Sequence, residues 1–127
     1  MGCGNLKIFH SSEFAGKENP KTGEKLREDI LGELEGAFGL RGIFITLPPH
    51  GQLPLHYHET RESLIVFIKG AGTEIGEGGE FPVREGDIVY VPAKEKHKLV
   101  NTSPHEELRY LEFFTSKGGS TDFIALE

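Results

Sequence analysis

Two histidines and a glutamate stand close together in the stretch "LHYHETRES", which runs from Leu55 to Ser63. His56 and His58 are two residues apart, and Glu62 follows four residues later. Because side chains alternate between the faces of a β-strand, a regular strand would place all three on one face. Two imidazoles and a carboxylate form a chelating set for a divalent first-row metal. This stretch alone leaves two interpretations open, a metal site or a solvent-exposed strand with ordinary polar residues.

The residues that follow Glu62 favour an interior position for the histidine face. The next residues with the same alternation are all apolar: Leu64, Val66 and Ile68. The opposite face is also largely apolar, with Ser63, Ile65 and Phe67. A strand that is apolar on both faces is covered on both sides. The second cover would be another sheet or a second subunit.

A further histidine lies in the second half of the chain, in a frame of turn residues. Gly86 is followed by Pro92 in "GDIVYVP", His97 comes five residues after Pro92, and Asn101 four after His97. With the first stretch, this order resembles the cupin superfamily. Its two motifs can be written G-x5-H-x-H-x(3,4)-E-x6-G and G-x5-P-x-G-x2-H-x3-N.

The resemblance implies a fold and a set of ligands. The fold would be an all-β jelly-roll barrel, a double-stranded β-helix, with a metal inside near one end. Many small cupins are homodimers, so the resemblance also leads us to expect a homodimer. We expect one domain over residues 1–127 with a barrel core at about 42–114. The metal-ligand positions of the two motifs fall on His56, His58, Glu62 and His97. Structural positions fall on Gly70, Gly86, Pro92 and Asn101.

The sequence departs from the family motifs at three positions. His50 stands where the first motif begins with glycine, and Gly51 follows it. Gly70 lies one residue too far from Glu62, which a β-bulge could absorb. Lys94 replaces the glycine expected between Pro92 and the histidine. If that position requires a positive φ, the lysine side chain carries a steric cost.

The elements that would position these residues are short strands. Seventeen glycines and seven prolines indicate many turns, and apolar runs between them predict seven to nine strands. "LKIF" at residues 6–9 could form a first strand, and residues 15–29 are interpreted as a polar surface loop. A helical turn is considered near Glu24–Leu31, and Gly78-Gly79 suggests a hairpin.

The composition excludes several classes of partner. A net charge of −6 without a basic stripe argues against nucleic acid and against an anionic membrane surface. No apolar run is long enough to span a membrane, and the N-terminus lacks a signal peptide pattern. Cys3 is the only cysteine, so no intrachain disulfide can form. We expect a cytoplasmic protein.

Two functions are compatible with these observations. The first is a metal-dependent enzyme acting on a small molecule, with iron, manganese, zinc, nickel or copper at the site. Within the family the reaction could be dioxygenase-like, a lyase reaction or an isomerisation, and the fold does not choose among them. The second is a non-catalytic cupin that binds a small ligand or serves a structural role. His50 and His105, in proline-flanked loops, are interpreted as surface histidines.

Overall fold

The computed structural model describes residues 6–11, 26–32, 35–116 and 122–127. These residues form ten β-strands, and the described segments contain no α-helix. The strands are β1 Leu26–Leu31, β2 Leu40–Leu47, β3 His56–His58, β4 Ser63–Lys69, β5 Ala71–Gly76, β6 Gly79–Arg84, β7 Ile88–Val91, β8 His97–Val100, β9 Leu108–Thr115 and β10 Phe123–Ala125.

The strands form two antiparallel sheets of five strands each. One has the order β1-β2-β9-β4-β7 and the other the order β10-β3-β8-β5-β6. On β9 the buried residues alternate with half-buried ones, which is the pattern of a strand with one face on a core. That inward face carries Leu108, Tyr110, Glu112 and Phe114. The expected all-β architecture is confirmed, and so is the hairpin at Gly78-Gly79, which joins β5 to β6.

Two local predictions near the N-terminus are wrong. Residues 6–9 form no strand, and Leu6 and Ile8 are 80% and 76% exposed, so this apolar run does not enter the core. Residues 26–31 form β1 instead of a helical turn, because their backbone pairs with β2 from Leu26↔Thr46 onward. A distant strand thus decides their conformation. The loop predicted for residues 15–29 lies mostly outside the described residues.

The backbone explains each departure from the family motifs. His50 and Lys94 have φ values of 61° and 71°, so both adopt the left-handed conformation that glycine adopts most easily. The register between β4 and β9 shifts between Phe67 and Lys69, which absorbs the extra residue before Gly70. Gly70 itself has a φ of 88°, and an added Cβ would lie 2.3 Å from the carbonyl oxygen of Glu107.

The Asn101 side chain connects backbone segments at one end of the barrel by hydrogen bonds. Its side chain is 1% exposed, and its Nδ2 donates to the carbonyl oxygens of Leu47, Pro48 and Glu106 at 2.8–3.1 Å. Its Oδ1 accepts from the backbone N–H of Ser103 at 3.0 Å. The amide therefore satisfies loop groups that would otherwise be buried without partners.

Candidate metal centre

Three histidines from two neighbouring strands meet inside the barrel. His56 and His58 lie two residues apart on β3, and His56 is paired directly with His97 on β8. The three side chains are 4–5% exposed. One ring nitrogen from each lies within 4.8 Å of the other two, and this is the histidine cluster. Its members could hold a metal ion.

Hydrogen bonds fix which nitrogen each ring offers. His56 Nδ1 donates to the carbonyl oxygen of Pro54 at 2.8 Å, and His58 Nδ1 donates to that of Asp122 at 2.9 Å. His97 Nδ1 is bonded to the carboxylate of Glu74. Carbonyl and carboxylate oxygens accept hydrogen bonds, so each Nδ1 carries the proton and each Nε2 keeps its lone pair. Such partners orient metal-binding histidines in general.

Burial also keeps the rings of His56 and His58 neutral. It lowers the pKa of His56 to about 4, and the nearby His97 and His58 act in the same direction. The pKa of His58 is lowered as well, first by burial and then by the positive charge of Arg61. A metal competes with protons for an imidazole lone pair, so rings that are neutral at pH 7 are ready to bind one.

The structure does not bring Glu62 into the histidine cluster. Glu62 is exposed, and its Oε1 accepts a hydrogen bond from the hydroxyl of Tyr90 at 2.5 Å. β3 ends at His58, and an irregular segment precedes β4. The alternation restarts with the opposite phase, so the expectation of an inward Leu64 and Ile68 is wrong. Both are more than 40% exposed, and the inward residues are Ser63, Ile65 and Phe67.

Buried charges that the sequence analysis did not identify lie near the cluster. Arg61 is 6% exposed, and its guanidinium is paired with the carboxylate of Glu112, which is 7% exposed. Arg61 also donates to Ser63 Oγ at 3.0 Å and lies 3.6 Å over the ring of Phe114. The strand pattern contained a signal, because Glu112 sits at an inward position between apolar residues of β9.

The C-terminal strand completes the wall of the site. β10 pairs only with β3 among the described strands, with Phe123 opposite His58. The Phe123 ring stacks on His56 at a centroid distance of 4.5 Å and an interplanar angle of 20°. The carboxylate of Asp122 accepts hydrogen bonds from the N–H and the hydroxyl of Thr60. These contacts hold β10 against β3 and place Phe123 beside the histidines.

The fold and the site define a cupin. The cupin domain family matches this chain over residues 43–114, more than half of its length, and the chain belongs to that family. The resemblance inferred from the two motifs is thereby confirmed.

Relatives with names that mention oxalate match part of the chain. An oxalate-binding protein of Thermotoga maritima is 29% identical over 65 residues, which are 51% of this chain and 53% of that protein. A probable oxalate decarboxylase of Arthroderma benhamiae is 37% identical over 75 residues, 55% of this chain and 19% of that protein. This chain thus spans about half of one relative and a fifth of the other.

A solved structure supports the same fold over nearly the whole chain. The polyketide cyclase RemF from Streptomyces resistomycificus superposes with a TM-score of 0.78 at 20% identity, covering 96% of this chain and 86% of that one. At this identity the similarity extends to the fold alone.

Proposed function

We propose that this cupin holds a divalent first-row transition metal at His56, His58 and His97 and acts on a small molecule beside it. The observation that carries the proposal is the set of three Nδ1 hydrogen bonds, which leave an Nε2 lone pair on each of three buried rings whose candidate ligand atoms lie within 4.8 Å of one another. A bound ion of this kind would supply a Lewis acid or, if it is redox-active, oxygen chemistry. The ligand set does not select among iron, manganese, zinc, nickel and copper.

The chain's own residues supply orientation and a dry environment. Glu74 holds the His97 ring, and Phe123 covers the His56 ring from the side of the C-terminal strand. Three neutral imidazoles occupy three coordination positions of an ion that takes four to six, so positions remain for a small molecule. This arrangement supports an enzyme of the dioxygenase-like, lyase or isomerase type.

The metal content of the purified protein tests the proposal. We expect close to one metal per chain in the wild type by plasma mass spectrometry, and almost none in the His97→Ala variant. His105→Ala is the matched control, because His105 is exposed and outside the cluster, and it should keep the metal. Wild-type protein without metal after reloading with each candidate ion would contradict the proposal.

A ligand-binding role without turnover is the second candidate. It is supported by the relative that is named an oxalate-binding protein. In that role a ligand would bind beside the metal and be recovered unchanged. Product analysis after incubation with a candidate substrate distinguishes the two roles, because an enzyme consumes the compound and a binding protein does not.

We also propose that a second copy of this chain covers the outer face of the first sheet. Apolar side chains line β4 and β7 on that face, with the exposed Leu64 beside Tyr90 and the half-buried Val66 beside the exposed Ile88 in the register. The strip consists of apolar side chains and Tyr90, whose hydroxyl is bonded to the carboxylate of Glu62 at its edge, and two copies related by a two-fold axis would bury the apolar part. Ile88→Glu should give a monomer in sedimentation, whereas Phe38→Glu, on an exposed loop, should not change the mass.

The proposed location is the cytoplasm, in keeping with a single cysteine. In the part of the chain that the structure describes, no helix has the length and apolar character needed to cross a membrane.

A further inference from the structure

The acceptors that orient the three histidines come from different parts of the fold. His56 is bonded to a carbonyl oxygen two residues before it, and His97 is bonded to the carboxylate of Glu74 on the neighbouring strand β5. The acceptor of His58 is the carbonyl oxygen of Asp122, which directly precedes β10. One ring of the histidine cluster is therefore oriented by a residue that is held in place with an edge strand.

β10 is a three-residue strand, and all of its side chains are exposed. Among the described strands it pairs only with β3. Such a strand buries little apolar surface, while ordering its backbone has an entropic cost. Its docking on β3 therefore depends on hydrogen bonds at its two ends. The Asp122 carboxylate accepts from the backbone N–H and the hydroxyl of Thr60, and the Leu126 N–H donates to the Leu55 carbonyl oxygen at 2.8 Å.

The Phe123 side chain of β10 contacts two of the histidines. Its ring stacks on His56 at a centroid distance of 4.5 Å and meets His58 edge-on at 5.7 Å. The next residue, Ile124, lies on the opposite face of the strand, because side chains alternate. Separation of β10 from β3 would thus remove the acceptor of His58 and uncover one side of the His56 ring at the same time.

We propose that docking of β10 on β3 and binding of a metal at the histidine cluster are thermodynamically coupled, with Asp122 and Phe123 as positioning residues. The inference rests on the proposed function for the presence of the metal. Coordination through Nε2 requires the proton on Nδ1, and the docked Asp122 carbonyl stabilises that tautomer of His58. The N–H of a metal-bound ring is a stronger donor, so its bond to Asp122 is strengthened in turn. The coupling is reciprocal, and each event favours the other by the same factor.

The zinc affinity of full-length variants tests the coupling, measured by competition with a chromophoric chelator. Phe123→Ala should raise the dissociation constant of zinc about tenfold or more, because loss of groups that support metal-binding histidines weakens affinity by roughly 10–100-fold. Ile124→Ala is the matched control. It shortens a side chain of the same strand on the other face and should change the constant by less than about threefold. Phe123→Tyr keeps the stacked ring and should retain the wild-type affinity.

Asp122→Gly tests the other positioning residue. It removes the carboxylate that binds Thr60 but keeps the backbone carbonyl, and glycine readily adopts the φ of 54° found at this position. Zinc affinity should again fall about tenfold. Nitrogen NMR of the metal-free proteins should show the His58 proton on Nδ1 in the wild type and partly on Nε2 in the variant. A merely structural role of β10 would leave the tautomer unchanged, and that result would contradict the role of Asp122.

Hydrogen exchange measures the coupling in the opposite direction, in the wild-type protein. Addition of zinc should slow exchange of the Leu126 N–H about tenfold, because this amide is released when β10 separates from β3. The Glu85 N–H is the reference, since it follows β6 at the other edge of the same sheet and donates to Gly70. Equal slowing of both amides, or no slowing at Leu126, would overturn the coupling.

Failure of the coupling is distinguishable from failure of the proposed function. Equal zinc affinity in the wild type, Phe123→Ala and Asp122→Gly would refute the coupling and leave the proposed metal site standing. A wild-type protein that binds neither zinc nor any other candidate ion would refute both.

Discussion

Loss of Arg61 should destabilise the protein more than loss of an exposed arginine. In the Arg61→Met variant, methionine keeps much of the packing against Phe114 but leaves the Glu112 carboxylate buried and unpaired. Removing one partner of a buried ion pair costs about 3–5 kcal/mol. Domains of this size are stable by about 5–15 kcal/mol, so the change removes a large part of the total. The melting temperature should fall by roughly 10–20 °C.

Urea unfolding of the metal-free protein measures this effect without the contribution of a bound ion. Arg27→Met is the matched control, because Arg27 forms an exposed ion pair with Asp29 at 3.1 Å, and exposed pairs contribute at most about 1 kcal/mol. The double variant Arg61→Met/Glu112→Leu should recover to within about 2 kcal/mol of the wild type, because neither charge is left alone.

Two results would refute this reasoning. A cost for Arg61→Met no larger than that for Arg27→Met would mean that the pair is hydrated in solution. A double variant as unstable as Arg61→Met would mean that the loss comes from packing and not from an unpaired charge. The pKa of His58 offers a second readout, because Arg61 lowers it and the variant should raise it.

The remaining predictions concern the strained turn, the fourth ligand and acid stability. Lys94→Gly should stabilise the protein by up to about 1 kcal/mol in urea unfolding, since it relieves a left-handed residue, whereas Lys96→Gly should destabilise it by roughly 0.5–1 kcal/mol. Glu62→Gln should retain the wild-type metal content, and loss of the metal would support the four-ligand set predicted from the sequence. The metal-free protein should lose up to roughly 3 kcal/mol between pH 6.5 and 4, because His56 is protonated at higher pH when unfolded than when folded. The variant His56→Gln should show a shallower pH dependence, and an unchanged slope would contradict this cause.

Most of the strands and the choice of the three histidines follow from short-range patterns in the sequence. Apolar runs between glycine and proline residues mark strands wherever a sheet covers at least one face. The cupin spacing identifies histidines by their distance from turn residues such as Gly86 and Pro92, and it does not depend on which face each strand presents. His97 is therefore selected from its own half of the chain, and the register of the strands pairs it directly with His56, 41 residues earlier.

Conformations that depend on pairing with a distant strand could not be predicted from the local sequence. Residues 26–31 are polar enough to resemble a turn of helix, and only pairing with β2 makes them a strand. The hydrogen bonds that orient the histidines come from Pro54, Glu74 and Asp122, of which only Pro54 lies close to its histidine in the sequence. No periodicity in one strand reveals such a partner. Tertiary structure is needed to bring these acceptors to the rings.

Glu62 shows where reasoning from alternation fails. The period of two holds only while the backbone remains a regular strand, and the four residues between His58 and Ser63 interrupt it. After this interruption the inward positions are shifted by one residue, so Arg61 is buried and Glu62 is exposed. Alternation is reliable within a single strand, however. There it places Glu112 on the inward face of β9, where a carboxylate among apolar neighbours requires a buried partner, and Arg61 is that partner.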